Sequence, residues 1–508
     1  MDVFLNLLSG VQTAVSGGNL LFILIGAAVG TWVGMLPGIG PATAIAVLLP
    51  FTFGMDPTSA LIMLSGIYFG AMYGGSIASI MLNIPGDASS VMSTLDGYPM
   101  AQKGRAGAAL LLSAAASFVG GTLGLIGLTL IAEPVSRLAV KLGPSEYFML
   151  MVFALAATAS TVSGSAVRGF ISLLIGLAIA TIGIDLQSGS SRFTFGMPEL
   201  ADGAPLLAAI IGVYAVTEVM VTAENLVAGR WTAPQAIGKL WATKAEWMRV
   251  RFTLVRGAVI GFVVGLLPGA GGAVATLFAY STEMRLSSRK EEFGKGAPEG
   301  LVAPEAANNA SVSGALVPLL TLGIPGSSAT AVLLGALMMY GIQPGPRLFT
   351  EQPVLTWGVI GGLYVANIVL LFLNVPLIGL WVRVLRVPAA LMMTVIMVLA
   401  VTGAFSLSNS LFDVWLTLGF GAMGYLMRKA GIPITPMILG LVLSSTLEQS
   451  LRQSLSLSGS DWSVFVTRPV CLILLILTVL MILSPLLAAR RKRRADTRPA
   501  DDEVRPDV

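Results

Sequence analysis

Two short segments carry hydroxyl groups beside a proline-glycine pair, in a chain that is otherwise strongly apolar. Residues 83–90 read NIPGDASS and residues 323–330 read GIPGSSAT, and each motif follows one apolar stretch and precedes another. This pattern is typical of a re-entrant hairpin with a polar tip, and tip hydroxyls and amides can bind the oxygens of a carboxylate. The predicted substrate contacts are Thr43, Ser89, Ser90, Ser327, Ser328 and Thr330.

A longer motif rich in proline and glycine occurs twice. Residues 26–44 (GAAVGTWVGMLPGIGPATA) and 257–275 (GAVIGFVVGLLPGAGGAVA) are identical at 11 of 19 positions. Neither copy can be a regular helix throughout, because proline lacks an N–H donor and glycine permits positive φ. An apolar segment interrupted at matching places in two halves indicates the binding site of a secondary transporter. Its freed carbonyls can bind a cation, and the helix that follows can bind an anion. The structural alternative is a kink, or close helix packing through glycine.

Carboxylate and amide side chains near these motifs suit a hard cation such as Na⁺, by analogy with calcium and magnesium sites. Residues 303–310 read APEAANNA, and an uncharged run follows Glu305. The alternatives are a first-turn acid at a helix N-terminus with asparagines at a helix interface, and, for Asp87, an N-cap. Na⁺ or H⁺ is the expected coupling ion, with no transition metal and no other cofactor. The candidate cation-binding residues are Pro37, Gly38, Asn83, Asp87, Pro268, Gly269, Glu305, Asn308 and Asn309.

The elements that must hold these residues are membrane helices. The chain is 55% hydrophobic and 11% charged, against about 25% charged in soluble domains. The uncharged runs 107–132, 306–346, 352–382 and 469–489 each reach the roughly 20 residues that cross a bilayer. With no histidine, one cysteine and no HExxH or GxGD motif, the chain is predicted not to be an enzyme. Four acids at segment ends are expected to be solvated charges or caps: Glu133, Asp185, Glu218 and Glu448.

Weaker similarity extends the repeat over most of the chain. The predicted division is an interfacial N-terminal segment (1–18), membrane repeat one (19–222), a basic cytoplasmic linker (223–256), membrane repeat two (257–451), an extra transmembrane helix (469–489) and a cytoplasmic tail (490–508). The basic linker and the basic start of the tail are expected in the cytoplasm. Each repeat then crosses an odd number of times, and the two repeats are antiparallel.

These patterns predict the fold class of an all-α polytopic membrane protein. It has two inverted repeats with discontinuous helices and re-entrant hairpins, and about 11 crossings besides the hairpins. The N-terminus is expected to be periplasmic and the C-terminus cytoplasmic.

The motifs GMLPGIGPATA, YFGAMYGGSIASIMLNIPGDASS, PEAANNA and LLTLGIPGSSATAVLLGAL resemble the large membrane subunit of the tripartite tricarboxylate transporters, from about residue 20 to about residue 450. The resemblance implies a multi-pass permease of the bacterial inner membrane. It also implies two protein partners, a small four-span membrane subunit and a periplasmic solute-binding protein, and no nucleic acid. The implied activity is symport of citrate or another organic carboxylate with a cation, often Na⁺. The alternatives are an exchanger or exporter of another organic anion, a scaffold subunit, and an intramembrane enzyme.

Overall fold

The protein is almost entirely helical. The computed structural model describes residues 2–36, 38–161, 165–185, 188–227, 237–385 and 387–496. Within these ranges the strands are β1 (Gly183–Ile184) and β2 (Ser191–Arg192), which pair antiparallel. This helical content and the apolar helices agree with an all-α membrane protein.

The first half of the chain contains ten α-helices, two π-helical turns and three 3₁₀ turns among its described residues. The α-helices are α1 (Asp2–Val15), α2 (Asn19–Gly34), α3 (Pro41–Leu48), α4 (Pro57–Leu82), α5 (Val91–Met100), α6 (Ala106–Ala139), α7 (Pro144–Thr161), α8 (Ala166–Ala180), α9 (Leu206–Ile211) and α10 (Thr217–Val227). The π-helical turns are Ala101–Arg105 and Gly212–Val216, and the 3₁₀ turns are Leu49–Thr52, Ala88–Ser90 and Pro198–Leu200.

The second half contains twelve α-helices and one 3₁₀ turn, Lys290–Glu292, among its described residues. The α-helices are α11 (Lys244–Gly265), α12 (Gly271–Leu286), α13 (Pro298–Leu322), α14 (Ser328–Met339), α15 (Leu348–Glu351), α16 (Pro353–Asn374), α17 (Ile378–Val384), α18 (Ala389–Ser408), α19 (Leu411–Lys429), α20 (Thr435–Leu457), α21 (Val464–Thr467) and α22 (Pro469–Asp496).

The chain reverses direction at the second Pro-Gly motif. Between α11 and α12, Gly269 has a φ of +77° and Gly271 a φ of +59°, which are left-handed conformations that glycine adopts without penalty. Arg256 of α11 and Glu283 of α12 form an ion pair at 2.6 Å, and Thr253 donates to the same carboxylate at 2.7 Å. These contacts join the middle of α11 to the end of α12. The two helices therefore form an antiparallel hairpin and not one interrupted span, which corrects the geometry predicted for this motif.

The first Pro-Gly motif makes the same kind of turn. Gly38 has a φ of +83° between α2 and α3. After α3 the chain reaches Asp56, which caps α4, and Ser59 of α4 donates to Asn19, the first residue of α2, at 2.6 Å. Helix α3 therefore leads back to the end of the bundle from which α2 came. Pro37 lies outside the described residues.

Each hairpin packs on a long helix through glycines spaced four residues apart. Gly26, Gly30 and Gly34 of α2 face Met63, Ile67 and Ala71 of α4, while Gly257, Gly261 and Gly265 of α11 face Ala303, Ala307 and Ser311 of α13. A Cβ at Gly30 would lie 2.7 Å from the Cα of Ile67. Small residues of this spacing let two helix backbones touch, so the hairpins are fixed closely against α4 and α13.

The Ile-Pro-Gly motifs follow α4 and α13 and turn back into the bundle. Asn83 (φ +58°) and Gly323 (φ +71°) end these helices in the left-handed conformation. A Cβ at Gly86 would lie 2.5 Å from the carbonyl oxygen of Gly34, and a Cβ at Gly326 would lie 3.1 Å from that of Gly265. Both tips therefore lie against the turns of the hairpins.

The two hairpins enter the bundle from opposite ends. Arg105, which follows α5, contacts Glu246 near the start of α11 at 2.5 Å. Tyr340, which follows α14, donates to the carbonyl of Thr52, which follows α3. Thr52 lies shortly before the start of α4, whereas Arg105 lies beyond the tip and the helix α5 that follow the end of α4. The 26 residues of α4 rise about 39 Å, so the two contacts lie at opposite ends of the bundle.

Four helical segments of the described chain are long and apolar enough to cross a membrane: Pro57–Leu82, Ala88–Ala139, Leu206–Leu226 and Pro353–Asn374. A fifth is possible if Val3–Val15 and Asn19–Gly34, which are bent by 80°, count as one. The number of crossings and the division into repeats stay predictions. The predicted linker and tail include residues 228–236 and 497–508, which lie outside the described residues.

Candidate substrate and ion site

The start of α12 meets both Ile-Pro-Gly tips in the interior of the bundle. A Cβ at Gly271 would lie 3.8 Å from the Cβ of Ser327, which caps α14. A Cβ at Gly272 would lie 2.8 Å from the Cβ of Ser89, in the 3₁₀ turn that leads into α5. The N-terminal ends of three helical segments thus face one small region. We call the region around Ser89, Gly271, Gly272 and Ser327 the central site.

Helix α4 lines the central site with two side chains. The hydroxyl oxygens of Tyr68 and Ser327 are 3.0 Å apart, and the hydroxyl of Ser89 points to the sulfur of Met72 at 3.7 Å. Tyr68 and Met72 are four residues apart and share one helix face. Tyr68 is 1% exposed and Met72 5% exposed. Helix α4 therefore contacts the tip of its own half and the tip of the other half.

Asp87 caps the first tip and lies beside the start of α3. Its carboxylate accepts the hydroxyl of Ser89 at 2.7 Å and the backbone N–H of Ser90, while its own N–H donates to the Ser90 hydroxyl at 3.2 Å. This arrangement is a capping box, as the N-cap alternative predicted. A Cβ at Gly40 would lie 3.0 Å from the Cβ of Asp87, so the N-terminus of α3 also approaches the first tip.

The other predicted substrate contacts either donate hydrogen bonds to nearby backbone carbonyls or lie at the edge of the central site. Ser90 donates to the carbonyl of Asp87 at 3.0 Å, and Thr330 donates to the carbonyl of Ser327 at 2.9 Å. Thr43 donates to a carbonyl of the π-helical turn Gly212–Val216, at 3.4 Å. Ser328 opens α14 and is partly exposed. Ser89 and Ser327 are therefore the hydroxyls that reach the central site.

Asn308 borders the central site from α13. Its Oδ1 would lie 3.0 Å from a Cβ at Gly272, and it is 1% exposed. Neither polar atom of its side-chain amide has a hydrogen-bond partner among the described residues, although buried polar groups are normally bonded. The amide of Asn309 is half satisfied, because its Nδ2 donates to the carbonyl of Glu305 at 3.3 Å while its Oδ1 has no partner among the described residues. Of the two, Asn308 is the amide that borders the start of α12 and is positioned to meet a ligand there.

Each hairpin turn lies beside a polar side chain of another helix. A Cβ at Gly269 would lie 2.6 Å from the Cβ of Thr158 in α7, and the Gly269 N–H donates to the carbonyl of Gly326 at 3.1 Å. A Cβ at Gly38 would lie 3.3 Å from the carboxyl carbon of Glu218 in α10. The turns thus connect the hairpins to the helices that surround them.

The remaining cation candidates are dispersed. Pro268 is partly exposed in the second turn, and Asn83 is an exposed C-cap of α4. Glu305 is fully buried, and its Oε2 is hydrogen-bonded to the hydroxyl of Ser76 at 2.5 Å and its Oε1 to the hydroxyl of Ser93. Since α13 begins at Pro298, Glu305 lies in the helix interior. The interpretation of Glu305 as a first-turn acid is therefore wrong.

Residues 20–439 match the model of the tripartite tricarboxylate transporter TctA family. The chain belongs to this family. It is 40% identical over 494 residues to an uncharacterised 52.8 kDa protein of the TAR-I ttuC′ 3′ region of Agrobacterium vitis, covering 97% of this chain and 98% of that protein. It is also 40% identical over 242 residues to an uncharacterised protein of the TAR-II ttuC′ 3′ region of the same organism, covering 48% of this chain and 100% of that protein. No solved structure matches the chain.

Within this TctA-family chain, Glu218 has a role that the sequence interpretation missed. The sequence predicts a solvated charge or a cap, yet Glu218 is 5% exposed and forms an ion pair with Arg428 of α19 beside Gly38. The sequence signal that could have identified Glu218 is its position inside the apolar segment Leu206–Leu226. An acid within such a segment usually has a functional role. Tyr68 and Met72 were also missed, since nothing in their spacing distinguishes them from packing residues.

The other three acids form ion pairs near segment ends. Asp185 contacts Arg452 at 2.7 Å, Glu448 contacts Arg192 at 3.0 Å, and Glu133 contacts its helix neighbour Arg137 at 2.5 Å. Asp185 is 7% exposed and accepts the backbone N–H of Ser188 at 3.2 Å, so of the two expectations it is a cap and not a solvated charge. Within the described ranges, no three acidic or cysteine side chains form a cluster that could hold a metal ion.

Proposed function

We propose that this protein is the large permease subunit of a secondary active tripartite importer, and that it carries tricarboxylates such as citrate or related organic carboxylates. The observation that supports this substrate class is the convergence of helix N-termini at the central site. A helix N-terminus carries the equivalent of about half a positive charge, and α12 has no side chain among the described residues that caps its first N–H groups. Such ends bind anions without a basic side chain.

The hydroxyls of the central site complete a carboxylate-binding surface. Ser89 and Ser327 stand on either side of the start of α12, and Tyr68 contacts Ser327. The nearby carboxylate of Asp87 is held by its own tip, through Ser89 and Ser90. A substrate that accepts the Ser89 hydroxyl would take this bond from Asp87, so we expect the first tip to rearrange when substrate binds.

We expect Na⁺ to bind beside the substrate and to offset its negative charge. The unpaired amide oxygen of Asn308 and the backbone carbonyls of the turn at Gly269 are hard oxygen ligands of the kind such a cation requires. The carbonyls at the end of α11 can serve the cation while the N–H groups at the start of α12 serve the anion. The site would therefore bind the two ions as a pair.

Transport would use two inverted repeats and two further proteins. The repeats are supported by the matching turns at Gly38 and Gly269 and by the entry of the two hairpins from opposite ends. We expect a periplasmic solute-binding protein to deliver the substrate and a small four-span membrane subunit to complete the permease in the bacterial inner membrane.

We expect an N-terminus in the periplasm and a C-terminus in the cytoplasm. Cysteine scanning in a Cys471→Ser background tests this orientation with two exposed positions, Ser16→Cys before α2 and Lys239→Cys before α11. A membrane-impermeant thiol reagent added to intact cells should label Ser16→Cys and should reach Lys239→Cys only after the membrane is opened. Labelling of Lys239→Cys in intact cells would contradict the proposed orientation.

The function is tested by uptake into proteoliposomes that contain the complete permease. A panel of radiolabelled carboxylates that includes citrate is added together with the periplasmic binding protein of the same transporter. Accumulation of a carboxylate against its gradient supports the proposal. Transport that occurs only in exchange for a preloaded anion would support the exchanger instead.

Removing the tip hydroxyls should weaken substrate binding. We expect Ser89→Ala and Ser327→Ala each to raise the substrate concentration for half-maximal uptake about 10- to 150-fold, because a hydrogen bond to a charged group contributes about 1.5–3 kcal/mol. Ser16→Ala, on the exposed turn before α2, is the control. Wild-type kinetics in the double variant Ser89→Ala/Ser327→Ala would place the substrate elsewhere.

A further inference from the structure

A second buried polar pocket lies next to the central site. Four serine hydroxyls from three helices surround the carboxyl group of Glu305. They belong to Ser76 of α4, Ser93 of α5, and Ser113 and Ser117 of α6. Glu305 is 0% exposed and none of the serines exceeds 4%. We call Glu305 and these four residues the serine pocket.

The serine pocket contains no basic partner for its carboxyl group among the described residues. Tyr73 interacts electrostatically with Glu305, but its hydroxyl donates to Asn367. Arg285 and Glu351 are exposed. The other titratable groups of the packed elements are engaged elsewhere: Tyr68 with Ser327, Asp87 with Ser89, Asp96 with Tyr280, Glu299 with Arg249, Glu283 with Arg256, Glu246 with Arg105, Glu133 with Arg137, and Tyr364 with Thr129. Tyr98, Lys244 and Arg251 are partly or fully exposed. An ionised carboxylate that is buried without a counter-ion is costly. The surroundings therefore favour the neutral, protonated carboxyl group.

The contacts within the pocket fit a proton better than a metal ion. Ser76 Oγ lies 2.5 Å from Glu305 Oε2 and 3.2 Å from the carbonyl oxygen of Met72. A hydroxyl has one hydrogen to donate. Ser76 can therefore donate either to Glu305 or to the Met72 carbonyl, and in the second arrangement the hydrogen between Ser76 and Glu305 belongs to a protonated carboxyl group. A metal ion would instead have to sit between the oxygens, about 2.3–2.6 Å from each, where the hydroxyls already touch the carboxyl oxygens.

We propose that Glu305 is a proton-carrying site, distinct from the Na⁺ position expected at the central site, and that its protonation is coupled to substrate binding. The coupling, but not the protonation, rests on the proposed function. On release, the carboxyl group gives its proton to water and becomes a carboxylate that accepts the serine hydroxyls. On loading, it takes a proton from water and donates to Ser76. No other bond is made or broken.

Met72 and helix α5 connect the serine pocket to the central site. Met72 touches Ser89 through its sulfur and Ser76 through its carbonyl. Helix α5 carries Ser93 and starts directly after the first tip. A tip that rearranges around a substrate therefore changes the hydroxyls available to Glu305. Coupling of this kind is reciprocal, so protonation and substrate binding should strengthen each other.

Infrared spectroscopy of the purified protein in lipid, without substrate, tests the protonation. At neutral pH, the wild type should show the C=O stretching band of a protonated carboxyl group, and Glu305→Gln should lose it. Glu305→Asp keeps a carboxyl group and should shift the band. Glu299→Gln is the matched control on the same helix, because Glu299 is paired with Arg249 at 2.7 Å and should contribute no such band. A spectrum that Glu305→Gln and Glu305→Asp leave unchanged would overturn the proposal.

Proton movement in proteoliposomes that contain the complete permease tests the coupling, with radiolabelled citrate as the first probe and the carboxylate panel after it. Uptake by the wild type in the presence of Na⁺ should be accompanied by proton entry, recorded by an entrapped pH dye. Glu305→Gln cannot release a proton, so its ratio of carboxylate exchange to net uptake should rise above that of the wild type. Carboxylate accumulation by the wild type without proton entry would overturn the coupling while leaving the proposed function intact. If the wild type carried no carboxylate, the proposed function would fail, and the infrared result would still decide whether Glu305 holds a proton.

Discussion

Replacing Gly272 with leucine is expected to abolish carboxylate uptake, and replacing it with alanine should weaken it severely. A Cβ at this position would lie 2.8 Å from the Cβ of Ser89 and 3.0 Å from Oδ1 of Asn308. Overfilling a packed site costs about 1–3 kcal/mol, so we expect Gly272→Ala to lower the apparent substrate affinity about 5- to 150-fold. Leucine adds three further carbons in the place where the substrate is proposed to bind.

The Gly272 variants should fill the central site without weakening helix α12. No positive φ is recorded for Gly272, and alanine favours a helix over glycine by about 1 kcal/mol, so α12 itself should not be weakened. The matched control is Gly419→Leu in α19, where a Cβ would meet no atom of the described residues within 4 Å. Both variants are measured for membrane protein level and for uptake kinetics. Normal uptake by Gly272→Leu would show that the substrate does not pass the central site.

The positions of the turns and tips could be predicted from the sequence because proline and glycine limit the backbone directly. Gly38, Gly269 and Gly323 all adopt the positive φ that their motifs suggested. The direction of the chain after each Pro-Gly turn could not be predicted in this way. A kinked span and a helical hairpin require the same local residues, and the ion pair of Arg256 with Glu283 that distinguishes them joins residues on either side of the turn.

The members of the site were predictable where a motif contained them and unpredictable where another helix supplied them. Ser89 and Ser327 were identified from the tips and meet at the central site. Tyr68 contacts Ser327 across 259 positions, and no local pattern marks such a contact. Asn83 belongs to a tip motif, but it ends α4 as an exposed C-cap. The sequence does not distinguish a residue that shapes a turn from one that lines a site.

The environment of Glu305 shows the same limit. The sequence places an acid near two asparagines and leaves a metal ligand and a helix-end charge as alternatives. The choice depends on four serines that belong to α4, α5 and α6, more than 180 positions away in the chain. Folding turns these scattered hydroxyls into one pocket, and this pocket favours a proton-carrying carboxyl group.

Replacing external Na⁺ with choline is expected to stop substrate accumulation. An organic carboxylate must leave water to enter a buried site, and a cation bound beside it offsets the cost of desolvating its charge. The binding of the two ions should therefore be reciprocal, with Na⁺ raising the substrate affinity by the same factor as substrate raises the Na⁺ affinity. Both factors can be measured by titrating one ion at fixed concentrations of the other.

The turns of the hairpins should control both affinities together. Gly269→Ala places a Cβ at a φ of +77° and 2.6 Å from the Cβ of Thr158, and Gly38→Ala places one at a φ of +83° beside Glu218. A left-handed backbone costs an alanine about 1–2 kcal/mol, and the turn must shift further to relieve the contacts. We expect the affinities for Na⁺ and for substrate to fall by the same factor in each variant.

Gly341→Ala is the matched control for this last prediction, because Gly341 has a φ of +69° and, among the described residues, a Cβ there would meet no atom within 4 Å. Gly341→Ala has the same backbone strain but lies away from the site. It should therefore lose a similar amount of stability while keeping its affinities for Na⁺ and substrate. A fall in substrate affinity with unchanged Na⁺ affinity would show that the turns do not bind the cation. Uptake that continues unchanged in choline would refute sodium coupling altogether. If collapse of the proton gradient then stopped that uptake, the proton at Glu305 would be the driving ion, since the serine pocket can load and release it without Na⁺.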